Sequence, residues 1–325
     1  MTKGMAKQCG QRIAPSAFLS LLFIFEFAFS RLFAEACKSS IRQADRNTKL
    51  HFVQRLRDKF SENIPEQNHV TEDFMQSYES QLLMSTGSAA GGLWAPEVVA
   101  LVGETHQGPL GFTLSMLQAM RADPSQAVCI DMQAMVLEAG KSHAGSRTEN
   151  GPSTGEGRTS SSSSRAALGE GQLAIKRKLA GHFMRCPRGP VVVIDNSKPL
   201  TGEWVRLLDA FLECMNERPH LDYLGPNSPP GSAGEPVDMP HGPLYLLAFP
   251  PSQQECDDEE PCEKSNDWRD MLKSSLAYQG PGFTPDALIG RIQEAVVFEP
   301  LQGRSSVAPG TSLCEGLVAA GFGVA

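Results

Sequence analysis

Val191-Val192-Val193-Ile194-Asp195-Asn196 is four β-branched residues followed by an acid and an amide. Four apolar residues are too few for an ordinary helix. Unbroken apolarity means that both faces are covered, as in a parallel strand inside a sheet. Four more runs have this character: Val98 to Val102, Val128 to Ile130, Leu244 to Phe249 and Ala295 to Phe298. Between them the spacing turns helical. Leu110, Leu114, Leu117 and Met120 mark 110–121, and Leu173, Ile175, Leu179 and Phe183 mark 171–184. Trp204, Leu207, Leu208, Phe211 and Leu212 mark 203–216. Strands alternating with helices predict an α/β fold, with a mainly parallel five-stranded sheet between helical layers.

Composition narrows the function classes. The chain has 325 residues, is 41% hydrophobic and carries a net charge of −8. An acidic balance without a basic stripe argues against nucleic acid as the main ligand. No apolar run reaches the roughly 20 residues of a membrane span, so a polytopic membrane protein is excluded. No repeat of solenoid or propeller period occurs.

The N-terminus reads as an address. Lys3, Lys7 and Arg12 precede an apolar stretch, Ala17 to Phe25, extended by Phe27 to Phe29. Ala34-Glu35-Ala36 then supplies a cleavage pattern. This order predicts a secretory signal peptide over 1–36. Glu26 sits within the apolar run, and a carboxylate at the bilayer centre costs about 2.5–3.5 kcal/mol, which disfavours an uncleaved anchor. Any membrane association is expected through this segment alone. Cleavage would leave Cys37, Cys129, Cys186, Cys214, Cys256, Cys262 and Cys314. An odd count leaves at least one thiol free or paired between chains. Cys256 and Cys262 flank an acidic run and could close a small loop, whereas Cys129 lies in a strand and reads as buried packing. No cysteine or histidine cluster has zinc spacing, and no metal site is expected.

Residues 37–92 read as an N-terminal helical and linker segment, with Phe52, Leu56 and Phe60 at four-residue spacing. The main domain is expected over 93–301. Two stretches within it are poor core material: 141–168, with five serines at Ser160 to Ser164, and the Pro- and Gly-rich 225–243. Neither can bury enough apolar surface to offset its chain entropy, so both read as insertions. The Gly-, Ala- and Ser-rich stretch 302–325 reads as a disordered tail.

Two strand ends carry fragments of nucleotide chemistry. The first strand runs into Gly103-Glu104-Thr105-His106-Gln107-Gly108-Pro109-Leu110 and then a helix. A phosphate-binding loop, G-x-x-x-x-G-K-[ST], occupies this position. Gly103 and Gly108 have its separation. Pro109 stands where the lysine would meet the β- and γ-phosphates, and Leu110 where a hydroxyl would ligate magnesium. Pro109 also removes a backbone donor from the anion cradle. Asp195 ends its strand as a magnesium-holding aspartate would. Asn196 follows where a glutamate would polarise water, and asparagine cannot act as a general base. His106 reads as an exposed loop histidine.

The most specific stretch is Phe283-Thr284-Pro285-Asp286-Ala287-Leu288-Ile289-Gly290-Arg291-Ile292-Gln293-Glu294-Ala295-Val296-Val297-Phe298-Glu299-Pro300-Leu301. It resembles the Clp-type AAA+ pattern F-x-P-E-x-L-N-R-I-D-x-x-V-V-F-x-P-L. Within that group the chain is most similar to the torsins, on the signal peptide, the single module and the run Gly189 to Leu212 ending in Phe211-Leu212-Glu213. The resemblance covers roughly 50–301. It implies a P-loop NTPase-like three-layer sandwich. Gly103 and Gly108 become a vestigial Walker A, Asp195 a vestigial Walker B, and Arg291 an arginine finger acting on a neighbouring subunit. It also implies ATP and magnesium as cofactors and a chaperone-like ATPase in the endoplasmic reticulum lumen. The chain departs from that pattern at Pro109, Leu110 and Asn196. It lacks a polar sensor at Phe249-Pro250-Pro251, and only 24 residues follow Leu301, too few for the small helical lid domain.

The expected function is therefore a torsin-like protein of the secretory pathway that does not hydrolyse ATP. It would partner or regulate an active AAA+ subunit, or assemble with itself, and meet a protein client. Two alternatives stand beside it. One is a torsin-family ATPase that still binds and slowly hydrolyses ATP, with Lys176, Arg177 or Lys198 replacing the lost charge. The other is a secreted interaction protein with no nucleotide link.

Overall fold

A computed structural model describes residues 41, 44–84, 96–106, 108–122, 124–145, 160–216, 220–221, 237–251, 267–279, 285–300 and 311–322. The signal peptide, Cys37, the Cys256–Cys262 loop, Phe283-Thr284 and most of the two insertions lie outside the described residues. Among the described residues no helix is long and apolar enough to cross a membrane.

The five apolar runs form one parallel sheet. Its strands are β1 (Glu97–Val102), β2 (Ala127–Asp131), β3 (Val191–Asp195), β4 (Leu244–Phe249) and β5 (Glu294–Val297), in the order β2-β3-β4-β1-β5. The register aligns Asp131 with Asp195, Asp195 with Ala248, and Val102 with both Phe249 and Val297. Every residue of β1, β3 and β4 is buried. Their apolarity needs no alternation, because helices cover both sheet faces. Four of the five strands start or end within a residue or two of the expected bounds, and Leu244–Phe249 coincides with them.

One face carries Val98, Val102, Ile130, Val192, Ile194, Tyr245 and Leu247. It is covered by α4 (Met132–Gly145), α5 (Ser160–Arg185), a 3-10 turn at Gly202–Leu208, α6 (Asp209–Leu212), α7 (Trp268–Gln279) and α8 (Asp286–Ile289). The helix expected over 203–216 is thus mostly a 3-10 turn. The serine run, expected to be loop, forms the first turns of α5. Serine is well placed at a helix start, and Ala167 and Leu168 just beyond it are buried against this face.

The opposite face carries Val99, Leu101, Cys129, Val193 and Leu246. It packs against α1 (Arg46–Asn63), α2 (Asn68–Met84), α3 (Pro109–Met120) and α9 (Leu313–Ala319). Asp45 caps α1 by accepting from the Thr48 N–H at 3.0 Å. Where α1, α2 and α3 meet, Phe60 stacks on Phe112 at 4.9 Å between ring centroids and Phe74 meets Phe112 edge-on at 5.0 Å. The segment expected as a helical linker therefore supplies part of the core.

The stretch expected to be a disordered tail contains α9. Ser312 accepts from the Glu315 N–H while the Glu315 carboxylate accepts from the Ser312 N–H. This capping box holds the first turn, and Leu313, Cys314 and Leu317 are buried. Cys129, read from the sequence as plain packing, is disulfide-bonded to Cys314 across 185 residues.

Candidate functional site

In a parallel sheet, ligands bind beyond the carboxyl ends of the strands. Gly103–Gly108 and Asp195 both lie at that edge. They follow β1 and β3, with β4 between, so about 10 Å of sheet separates the two strands.

The glycines of the loop have a packing role. Gly103 has φ +153°, and its N–H donates to the Phe249 carbonyl at 3.0 Å. A Cβ at Gly103 would lie 3.0 Å from Phe298 Cβ, and one at Gly108 only 2.0 Å from Phe298 Cδ1. Phe298, just past β5, is buried, and its N–H donates to the Val102 carbonyl. The two glycines thus make room for one aromatic ring. Pro109 opens α3, where a missing N–H costs the helix nothing. The next N–H, that of Leu110, donates to the Thr105 carbonyl at 3.0 Å and is spent within the loop. Glu104 adds a carboxylate 3.4 Å from His106 Nε2, and the His106 side chain is 20% exposed. A loop short of two donors and carrying an acid does not fit a polyphosphate.

The β3 end is occupied as well. Asp195 is 3% exposed. Its Oδ1 accepts from the Ser197 N–H at 3.1 Å and the Ser197 hydroxyl at 2.5 Å. Its Oδ2 accepts from the Cys314 N–H at 3.2 Å. Asn196 is fully buried, its backbone N–H donates to the Ala248 carbonyl, and neither side-chain amide atom has a partner. Asp131, opposite Asp195 on β2, caps α4 through the Gln133 and Ala134 N–H groups. Phe249, at the sensor position, is buried core.

α9 touches both the start of α3 and the end of β3. Its Cys314 binds both Cys129 and Asp195, and a Cβ at Gly316 would lie 2.7 Å from Leu110 Cδ2. No reading of the sequence anticipated this. The signal was present in Ser312-x-x-Glu315, a capping box beside an apolar pair.

Arg291 lies elsewhere, between α8 and the start of β5, at the amino edge of the sheet. Its Nε donates to the Leu212 carbonyl at 3.2 Å and to Asn216 Oδ1 at 3.0 Å, and Nη1 donates to the Ala287 carbonyl. The guanidinium joins α6 to α8 and stays half-buried. Lys176, one candidate for replacing the lost loop charge, is paired with Glu213 at 2.5 Å. Among the described residues no group of three metal-ligating side chains converges. The chain matches no protein-family model and no curated protein.

Proposed function

We propose that this chain is a torsin-like AAA+ module that no longer uses nucleotide and acts as a non-hydrolysing partner of an active AAA+ ATPase in the secretory pathway lumen. The observation that carries the loss of nucleotide is the state of Asp195. Both of its oxygens accept hydrogen bonds from backbone and hydroxyl donors of its own chain, so the carboxylate is already engaged where a magnesium ion would need it. The Thr105–Leu110 bond and the Phe298 ring against Gly108 support the same reading at the loop. The parallel sheet, with loop and acid at one edge and Arg291 at the other, supports a P-loop-like ancestry. The disulfide-bonded Cys129, Cys186 and Cys314 fit an oxidising compartment.

Arg291 is the residue through which such a partner would act on a neighbouring nucleotide. It would first have to leave Leu212 and Asn216. The test is ATP turnover by a competent torsin-type ATPase with and without this chain. A rise in turnover that Arg291→Ala abolishes, with the complex intact by gel filtration, is the expected result. An unchanged rate in a verified complex removes the finger role. Turnover by this chain alone removes the non-hydrolysing reading.

A further inference from the structure

Three contacts converge on one short helix. Leu110 stands where the resembled family has a magnesium-binding hydroxyl, and it packs against Gly316 of α9. Asp195 stands where that family has its magnesium-binding acid, and it accepts from Cys314 of α9. Cys129, two residues before Asp131 on the neighbouring strand, is joined covalently to the same Cys314. The two side chains that would have shared a metal ion now share a helix.

We infer that α9 is the resident ligand of this carboxyl edge: residues 311–322 occupy, from within the chain, the ground that magnesium and nucleotide would need. The inference rests on the proposed ancestry of the site and deepens it. The helix competes for Asp195. Its Oδ2 accepts the Cys314 N–H and its Oδ1 is held by Ser197, so a cation would have to share or displace these donors. The docking is also apolar. Leu313 and Leu317 are buried beside Phe112, Met116 and Val193 in one cluster, so displacing α9 would return that surface to water. The broken loop and the docked helix thus belong together. Leu110 is a poor neighbour for a phosphate and a good one for α9.

Hydrogen exchange on the full-length oxidised protein tests this. Protection of 313–319 is expected, and neither magnesium chloride alone nor magnesium with ATP should change it. Asp195→Ala should raise exchange across 313–319 about tenfold or more, as expected for a lost hydrogen bond to a charged group. Asp131→Ala, at the same register on β2, should raise it only at the start of α4. Gly316→Leu, which forces a side chain onto Leu110 without touching the sheet, should act like Asp195→Ala and serves if that variant does not fold. Unprotected 313–319 in the parent protein, or protection indifferent to both Asp195→Ala and Gly316→Leu, overturns the inference and leaves the proposed function resting on the Gly103–Leu110 loop and the Ser197 bonds to Asp195. Protection lost on adding magnesium and ATP overturns both.

Discussion

His182 shows how one buried side chain ties stability to pH. It lies on α5, fully buried, and neither ring nitrogen has a hydrogen-bond partner of good geometry. Burial pushes its pKa down from 6.5 to about 4, and the nearby Arg185 charge adds to the effect. The folded state therefore holds the imidazole neutral, while the unfolded chain takes a proton from about pH 6.5 downward. The stabilisation is complete above pH 6.5 and is lost as pH falls towards 4, about 2 kcal/mol of it by pH 5. Chemical denaturation at pH 7.5 and pH 5 should show this loss, and His182→Gln should flatten the slope by a similar amount. An unchanged slope in the variant would place the pH dependence elsewhere. Gly108 carries the opposite lesson about single residues. Its separation from Gly103 reads as phosphate chemistry, yet Phe298 leaves no room there for any Cβ. A glycine required for close packing and one required by a ligand look alike in one sequence.

At the scale of elements, strands were easier to read than helices. Apolar runs such as Val191 to Ile194 and Leu244 to Phe249 have no other use in a chain of this composition. Their order in the sheet was not readable, because strands buried on both faces carry equally apolar sequences, and nothing in them marks β4 as lying between β1 and β3. The acid after β3 and the glycines after β1 are visible in the sequence. Their partners are not, since Cys314 lies 119 residues from Asp195 along the chain. α9 was hidden by composition. Gly316 and the alanines after it suggest a tail, although the glycine admits Leu110 and a capping box starts the helix. The tether makes this element matter to stability. Closing a loop of 185 residues restricts the unfolded chain, and losing such a bridge costs about 2–5 kcal/mol. Cys314→Ser should lower the denaturation midpoint accordingly and make 313–319 the first segment to exchange. A midpoint within error of the parent would mean that the buried contacts of Leu313 and Leu317 hold α9 without the bridge.

Across the whole molecule, the sheet is a shared wall between two apolar clusters, and neither cluster is complete without a distant segment. One holds the helices from the middle of the chain. The other is assembled from both sides in sequence: α1 and α2 precede the sheet, α9 follows it, and Phe298 closes the gap above the Gly103–Gly108 loop. Side-chain hydrogen bonds reinforce the joint. Gln67, 1% exposed, donates to the Glu299 carbonyl at 2.7 Å and accepts from the Glu299 N–H, and Ser77 donates to Glu294 at 2.8 Å. A boundary at residue 93, which the sequence suggests, therefore cuts through a core. Removing residues 1–84 would strip Phe52, Leu56, Phe60, Phe74, Met75 and Tyr78 from one face of the sheet. Each buried side chain of this size contributes about 1.5–3 kcal/mol, so the summed loss, roughly 9–18 kcal/mol, is comparable to the whole 5–15 kcal/mol that ordinarily separates folded from unfolded. The shortened chain should show no cooperative thermal transition by circular dichroism and should bind a hydrophobic dye, whereas the full-length chain should melt cooperatively. A cooperative melt from the chain beginning at residue 85 would make the helical hairpin an appendage, and the sheet with α3 and α9 would then have to stand with one face largely bare.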